Sequence, residues 1–377
     1  MILNKKKIVF LTGTRADFGK IKSLISILEM NSEFEVFVFV TGMHLQEEYG
    51  LTLIEIQRCN FQNVHTFQNH THETTMDLTL AKTIEGISTY CKQVQPDLIV
   101  VHGDRVETLA GAIVGSLNNI LVAHIEGGEL SGTVDELLRH SVSKLSHIHF
   151  VSNTDAANRL VQMGELQSSI YTIGSPDVDI MFSKNLPELT IAKEYYQIDF
   201  EKYAIVMFHP VTTEVAEMEK YANDFVAALL DDTHNYIVIY PNNDLGSQQI
   251  ISKYTELASN FRFRVFPSLR FEYFLTLLKN AQFIIGNSSA GVREAPYYGV
   301  PTINIGTRQH NRALDSEIIN VDYDFDSISN SLKIVDSHAP QKGNLSFGEG
   351  NSALLFLNTL LDPAIWNTNH QKQFRDN

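Results

Sequence analysis

Acids, arginines and histidines stand in short polar segments between apolar runs, and their spacing suggests proton transfer and anion binding. Asp135 and Arg139 are four apart, so on a helix they share a face and can pair. Thr133-Val134-Asp135-Glu136 matches a capping box, with Thr133 as N-cap and Glu136 at the third helical position. Just upstream, His124-Ile125-Glu126-Gly127-Gly128-Glu129 adds further carboxylates. Two acids beside a guanidinium suit general acid/base work. The blander reading, a helix-dipole acid with a surface partner, stays open.

Other segments suit an anion. Thr12-Gly13-Thr14-Arg15-Ala16-Asp17-Phe18-Gly19-Lys20 puts a Gly turn and two cations at a helix start, a place for phosphate. It is not G-x-G-x-x-G, so the dinucleotide fingerprint is absent. Asn287-Ser288-Ser289 before a short helix reads as a second anion seat or as ordinary N-caps. Arg293 and Glu294 follow on that helix, Pro296 is expected to kink or end it, and Gly299 suits its stop.

Metal and nucleophile chemistry find less support. His124-x-Glu126 is half of a zinc deaminase pattern without its Pro-Cys-x-x-Cys partner. His70-x-His72 and His147-x-His149 lack a third nearby ligand, and the latter pair flanks a strand, where structural histidines are common. No G-x-S-x-G elbow is present. No metal and no cofactor are expected.

Parallel strands and helices must hold these segments. Apolar runs at Ile8–Thr12, Val36–Val40, Leu98–Val101, Ile120–His124 and Ile148–Val151 alternate with helical periodicity at Lys20–Met30, Thr79–Val94, Val106–Leu117 and Thr133–Leu145. The rhythm stops over Ser175–Lys202, which carries Pro176, Pro187 and many charges, and marks a linker. It restarts with strands at Ala204–Phe208, Tyr236–Tyr240, Phe263–Phe266, Phe283–Gly286 and Thr302–Ile305. Helices are expected between them at Glu214–Leu230, Ser247–Leu257, Phe271–Lys279 and Ser289–Tyr298. The fold class is therefore α/β, with two doubly wound domains in tandem. We assign residues 1–182 to the first and 183–361 to the second, with the tail 362–377 packing back on the first. The helix near Asn351–Leu361 suits either core. In such sheets ligands bind beyond the carboxyl ends of the strands, so loops of both domains are expected to face a cleft.

The chain has 377 residues, with 44 acids against 29 Lys plus Arg and a formal charge of −15. That balance argues against nucleic acid and anionic membranes as partners. An anionic ligand would need a local cationic cluster. Two cysteines, Cys59 and Cys91, make neither a disulfide framework nor a thiolate zinc site. No apolar run reaches the roughly 18 residues of a membrane span, and no signal peptide is evident. A reducing cytoplasm is the expected location.

Taken together, the loops resemble the hydrolysing UDP-N-acetylglucosamine 2-epimerases, the bacterial members and the epimerase half of the animal bifunctional epimerase/kinase. The matching residues are Thr14-Arg15-Ala16-Asp17, His102-Gly103-Asp104-Arg105, His124 to Glu129 with Ser131-Gly132-Thr133, and Arg139-His140. They continue with His209-Pro210-Val211-Thr212-Thr213, Asn242 with Gly246-Ser247, Gly286-Asn287-Ser288-Ser289 with Gly291-Val292-Arg293-Glu294, and Gly306-Thr307-Arg308-Gln309. Each is weak alone; eight in the family's order, from residue 12 to 309, are specific. Non-hydrolysing relatives carry Gly-Thr-Arg-Pro-Glu, Gly-Asp-Thr and Glu-Ala-Gly-Leu-Arg at three of these places. Here Arg15-Ala16-Asp17, Gly103-Asp104-Arg105 and Glu126-Gly127-Gly128-Glu129 stand instead, which favours hydrolysis. No kinase half is present, so the epimerase activity alone is implied.

The resemblance implies a two-domain glycosyltransferase-B fold and a UDP-sugar substrate. It implies elimination of UDP to a 2-acetamidoglucal and then hydration to N-acetylmannosamine, for sialic acid or a related nonulosonic acid. Carried onto this chain, Asp104, Glu126 and Asp135 are the acid/base candidates, with Arg139 fixing Asp135 and His209 assisting the leaving phosphate or shuttling a proton. A crowded set of acids predicts at least one raised pKa. Arg15, Arg105, Ser288 and Ser289 would bind diphosphate. Asn242, Glu294 and Arg308 would hold the nucleotide. Lys20 and His44 would line the cleft, and Asp17 joins the binding set. A homo-oligomer, a dimer or a dimer of dimers, is implied. Other readings are the same reaction on a 2,4-diacetamido-trideoxy UDP-sugar, a glycosyltransferase of the same fold, and a nucleotide-sugar sensor.

Overall fold

Two parallel sheets organise the chain, each built on one of two compact units. The computed structural model describes residues 5–70, 75–131, 134–184, 186–309, 318–335, 337 and 347–373. The first unit comprises residues 1–129, 135–183 and 346–377; the second comprises 184–345 together with 130–134.

The first sheet holds β1 (Lys6–Thr12), β2 (Phe34–Val40), β3 (Val64–Thr66), β4 (Leu98–His102), β5 (Leu121–Ile125), β6 (Ile148–Val151) and β7 (Ile170–Thr172). Its order is β3-β2-β1-β4-β5-β6-β7 and every pairing is parallel. The strand order reverses between β1 and β4, where a doubly wound sheet opens its binding crevice. Both faces are covered, so the strands read as continuous apolar runs rather than alternating ones. The helix Arg15–Glu29 shows how a face is chosen: Phe18, Ile21, Leu24, Ile25 and Leu28 recur at helical spacing and are buried. Each such side chain contributes about 1.5–3 kcal/mol of burial.

The second sheet holds β8 (Ala204–Met207), β9 (Tyr236–Ile239), β10 (Phe263–Phe266), β11 (Ile284–Gly286), β12 (Thr302–Ile305) and β13 (Ile318–Val321). Its order, β10-β9-β8-β11-β12-β13, again all parallel, repeats the first topology with the reversal between β8 and β11. Phe208, Phe225, Tyr236, Tyr254 and Phe283 fill its core.

Several sequence expectations change. The helix Ser352–Leu361 belongs to the first unit, not to the second domain: Phe356 is buried against Phe10 and Phe150. The tail that follows lies on the same unit, with Trp366 beside Phe34 and Lys372 donating to the carbonyls of Ser143 and Ser146. The expected linker contains two helices, Pro176–Met181 and Leu189–Tyr195. The expected helix Ser289–Tyr298 is a 3-10 turn, Ser289–Gly291, followed by a separate helix, Glu294–Tyr298. Pro296 is the third residue of that helix, where its missing N–H would have no partner anyway, so it neither kinks nor ends it. The N-cap expected at Thr133, with Gly132 beside it, and the pair expected with His72 lie outside the described residues.

Candidate active site

The first unit gathers its acids beyond β4 and β5. His102 ends β4, Gly103 turns with φ +74°, and Asp104 and Arg105 lead into the helix Val106–Leu117. Beyond β5, Glu126 takes a left-handed backbone, φ +62°. A residue with a Cβ pays about 1 kcal/mol or more for that conformation. Its payment orients the side chain: Ser175 Oγ donates to Glu126 Oε1, and His102 Nε2 lies 3.2 Å from Oε2. Glu126 is only 2% exposed.

Arg139 ties this group together. It projects from the helix Val134–Leu145, is 3% exposed, donates Nη2 to Asp104 Oδ2 and Nη1 to the carbonyl of Glu126 at 2.7 Å. The sequence pointed it to Asp135, one turn earlier on the same helix. The structure brings its guanidinium to a carboxylate from another loop. Asp135 stands half-buried in the first turn of that helix.

Around β1 the cations each meet an acid. Arg15 Nη2 lies 3.6 Å from Glu55 Oε1, Arg105 Nε 3.5 Å from Glu107 Oε2, and Lys20 Nζ 3.1 Å from Asp177 Oδ2. Asp17 closes a capping box with Thr14 and accepts from the N–H groups of Gly13 and Thr14 and from Thr12 Oγ1. Burial raises the Asp17 pKa above the ordinary carboxylate value, against those hydrogen bonds, which lower it. His44 contacts this segment through Thr12. It is wholly buried, with Nε2 3.0 Å from Thr12 Oγ1 and Nδ1 2.7 Å from Thr52 Oγ1. Burial, with Arg15 nearby, pushes its pKa down to about 3, so the ring is neutral and braces Thr12, ahead of the helix that carries Asp17.

His124 and His149, on β5 and β6, are buried and held by neighbours. His124 Nε2 bonds the Gly103 carbonyl at 2.8 Å and Nδ1 the Ser143 hydroxyl at 3.0 Å, and burial lowers its pKa to about 3. His149 pairs with Glu165 at 3.1 Å. Among the described residues no cluster of three His, Cys, Asp or Glu could hold a metal ion.

The second unit holds its polar residues beyond β8, β9, β11 and β12. His209 follows β8; its ring Nδ1 accepts the Asn242 N–H at 3.0 Å. Asn242 in turn donates its amide to Asp244. Ser288 caps the turn Ser289–Gly291 by accepting from Ala290 N–H, so both serines sit on a single turn rather than at a helix start. Glu294, 3% exposed, opens the helix Glu294–Tyr298, and Arg293, 4% exposed, precedes it. Beyond β12, Gly306 adopts φ +69°, and a Cβ there would strike the Tyr323 ring. That turn presents Arg308, whose Nη1 donates to the Asn287 carbonyl at 3.2 Å.

Chemically, the first unit offers two acids on loops joined by one guanidinium, which bonds the Asp104 carboxylate and the Glu126 main-chain carbonyl, and such acids suit proton transfer. The second offers hydroxyls, an arginine and an oriented imidazole, which suit an anionic leaving group. Sequence reasoning did not single out Glu107, Ser175, Asp177 or Gln309. Glu107 had a signal, an acid two residues after Arg105 in a first helical turn. Ser175 and Asp177 lay in what looked like linker.

The chain resembles known proteins over most of its length. A family model described as UDP-N-acetylglucosamine 2-epimerase matches residues 26–361. A UDP-N-acetylglucosamine 2-epimerase of Neisseria meningitidis serogroup B is 48% identical over 374 residues, 98% of this chain and 99% of that one. A hydrolysing UDP-N,N'-diacetylbacillosamine 2-epimerase of Legionella pneumophila is 31% identical over 352 residues, covering 92% and 93%. The crystal structure of a Methanocaldococcus jannaschii UDP-GlcNAc 2-epimerase, solved with UDP-GlcNAc and UDP, superposes with a TM-score of 0.79 at 22% identity, covering 94% of this chain and 99% of that one. It shares the two-domain fold of parallel sheets.

Proposed function

Because the chain belongs to the UDP-N-acetylglucosamine 2-epimerase family, we propose that it acts on UDP-N-acetylglucosamine and is of the hydrolysing type, releasing N-acetylmannosamine and UDP. The observation that carries this reading is the bridge of Arg139 between Asp104 and the Glu126 loop. It supports two carboxylates held together for a reaction that must move a proton at carbon.

The C2 hydrogen of the sugar adjoins no carbonyl and is not acidic, so inversion at C2 needs a route that activates it. Elimination supplies one. A base takes the C2 proton as the C1–O bond breaks, the electron pair leaves with UDP, and 2-acetamidoglucal remains. Water then adds its hydroxyl at C1 while a proton returns to the opposite face of C2. The sum consumes one water and yields N-acetylmannosamine and UDP.

Asp104 and Glu126 serve the proton steps, and Asp135 supports them. Arg139 fixes Asp104 and reaches toward the sugar. Arg15, Arg105, Ser288 and Ser289 bind the diphosphate; Asn242, Glu294 and Arg308 hold the nucleotide, and Asp17 and Lys20 complete the binding set. His209 accepts at Nδ1, so its neutral ring carries the hydrogen on Nε2 and assists the leaving phosphate as a donor. Proton shuttling through Nδ1 would cost that hydrogen bond. Use of the product in the synthesis of sialic acid or a related nonulosonic acid, and assembly as a homo-oligomer, belong to the same reading. No helix among the described residues is long and apolar enough to cross a membrane.

A second reading keeps the reaction and changes the sugar to a 2,4-diacetamido-trideoxy UDP-hexose, which the 31% identical relative from Legionella supports. One experiment separates these. The protein is incubated with UDP-N-acetylglucosamine in D₂O, without acceptor or added metal, and followed by NMR. Free UDP and C2-deuterated N-acetylmannosamine are expected. An intact UDP-N-acetylglucosamine, with turnover of the diacetamido substrate, moves the assignment to that sugar. Epimerised nucleotide sugar without UDP release removes the hydrolysing assignment.

A further inference from the structure

Asn287 makes a set of bonds that packing alone would not require. Gly286 ends β11 at φ +136°, where a Cβ would strike the Met207 carbonyl. The chain can thus draw Asn287 close, and its N–H donates to Met207 O at 3.0 Å. The side chain is wholly buried. Its Oδ1 accepts the His209 N–H at 2.6 Å and its Nδ2 donates to the His209 carbonyl at 2.9 Å. This two-way clasp holds the backbone on which the imidazole hangs, while the Asn242 N–H orients the ring itself. The Asn287 main-chain carbonyl accepts from Arg308 Nη1 at 3.2 Å and from Gln309 Nε2 at 3.0 Å. One residue thereby joins the loops beyond β8, β11 and β12.

We infer that Asn287 is a positioning residue that sets His209 and Arg308 in one register for the departing UDP. The inference rests on the reading, given above, that these two residues meet the leaving group. Only a carboxamide at this length donates and accepts at once in the observed direction. Aspartate keeps the shape and the acceptor but loses the donor, and sets a carboxylate oxygen against the His209 carbonyl. The clasp would then open and the imidazole would lose its place, while the main-chain carbonyl that receives Arg308 remains.

The test uses Asn287→Asp, with Asn287→Ser as a second variant should the first unfold, and His209→Ala alone and in combination. UDP release from UDP-N-acetylglucosamine gives kcat and KM. Asn287→Asp is expected to lower kcat on the order of a hundredfold, the range for one misplaced transition-state donor. The double variant should be no slower than His209→Ala, since contacting residues that act as a unit do not add. Full multiplication of the two losses, or an unchanged kcat in both Asn287 variants, would overturn the proposal. A readout free of turnover runs alongside: ¹⁵N-histidine NMR, with the His209 signal identified by its loss in His209→Ala. The wild type should show hydrogen on Nε2 alone, and both Asn287 variants should shift that pattern; an unmoved signal also overturns the clasp. If wild type releases no UDP from either candidate sugar nucleotide, the functional reading has failed, and the NMR result decides the clasp by itself.

Discussion

Arg139 and Asp104 pair across 35 residues of sequence, and the other arm of the same guanidinium holds the Glu126 carbonyl at 2.7 Å. A fork with fixed geometry spans two acceptors from two strand ends, which a lysine ammonium on a flexible stem cannot match. The side chains of Arg139 and Asp104 are 4% and 22% exposed, so removal of one leaves the other poorly solvated.

Arg139→Ala should therefore cost about 3 kcal/mol of stability, the low end for breaking a buried ion pair from one side. Arg139→Lys should lose less stability and still lose most activity, because one acceptor goes unmet. Urea unfolding followed by fluorescence and circular dichroism checks the first statement, and UDP release the second. An unfolding midpoint unchanged in Arg139→Ala would show that the bridge carries no stability.

Glu126→Gln separates charge from fold. Glutamine keeps the side-chain length, can accept from Ser175 and places an amide before His102, so the backbone at φ +62° gains no new strain. The variant should melt within a few degrees of wild type and bind UDP, yet incorporate no deuterium at C2 of any product. Wild-type turnover by Glu126→Gln would remove Glu126 from the proton steps.

The strand ends were legible because buried parallel strands are continuous apolar runs, and whatever polar residue follows one stands out. His102, Asp104, Glu126 and His209 emerged this way. The bond from Arg139 to Asp104 did not, since spacing rules see neighbours on one helix and Asp104 arrives from another strand. The edge strands β3 and β7 have three residues each, too few for a pattern to form. Ser175 and Asp177 hid in a Pro-bearing, charged stretch that resembled linker. The helix Ser352–Leu361 is apolar around much of its surface, so its sequence carried no sign of which core it joins.

Buried neutral histidines give stability a pH sign. His44 and His124 each have a folded pKa of about 3, against 6.5 for a free imidazole, with burial the main cause of both shifts. Arg15 faces His44, and Arg139, His149 and His102 face His124. Below pH 6.5 the unfolded chain takes up protons that the folded rings refuse. Their contribution is therefore complete above pH 6.5 and is lost as pH falls toward 3. At pH 5 each ring should cost about 2 kcal/mol. Urea midpoints at pH 7.5 and 5.0 measure this. His44→Gln, which can still meet Thr12 and Thr52, should narrow the gap between the two; an equal gap would clear His44 of any part in it.

Lys20 and Asp177 form an ion pair 3.1 Å long with side chains 11% and 2% exposed, tying the first helix to the short helix beyond β7. The neighbouring Ser175 holds Glu126, so this pair also fixes the wall behind a carboxylate. Desolvation makes such a pair costly to half-remove and cheap to replace whole. Asp177→Asn should then destabilise by about 3 kcal/mol, whereas Lys20→Met with Asp177→Leu should come within about 1 kcal/mol of wild type. If Lys20 also serves the substrate, the double variant will keep its stability and lose UDP-sugar affinity, seen as a raised KM with the unfolding midpoint held. A double variant that restores both would confine the pair to folding and leave substrate contact on this face to Arg15, Asp17 and Arg105.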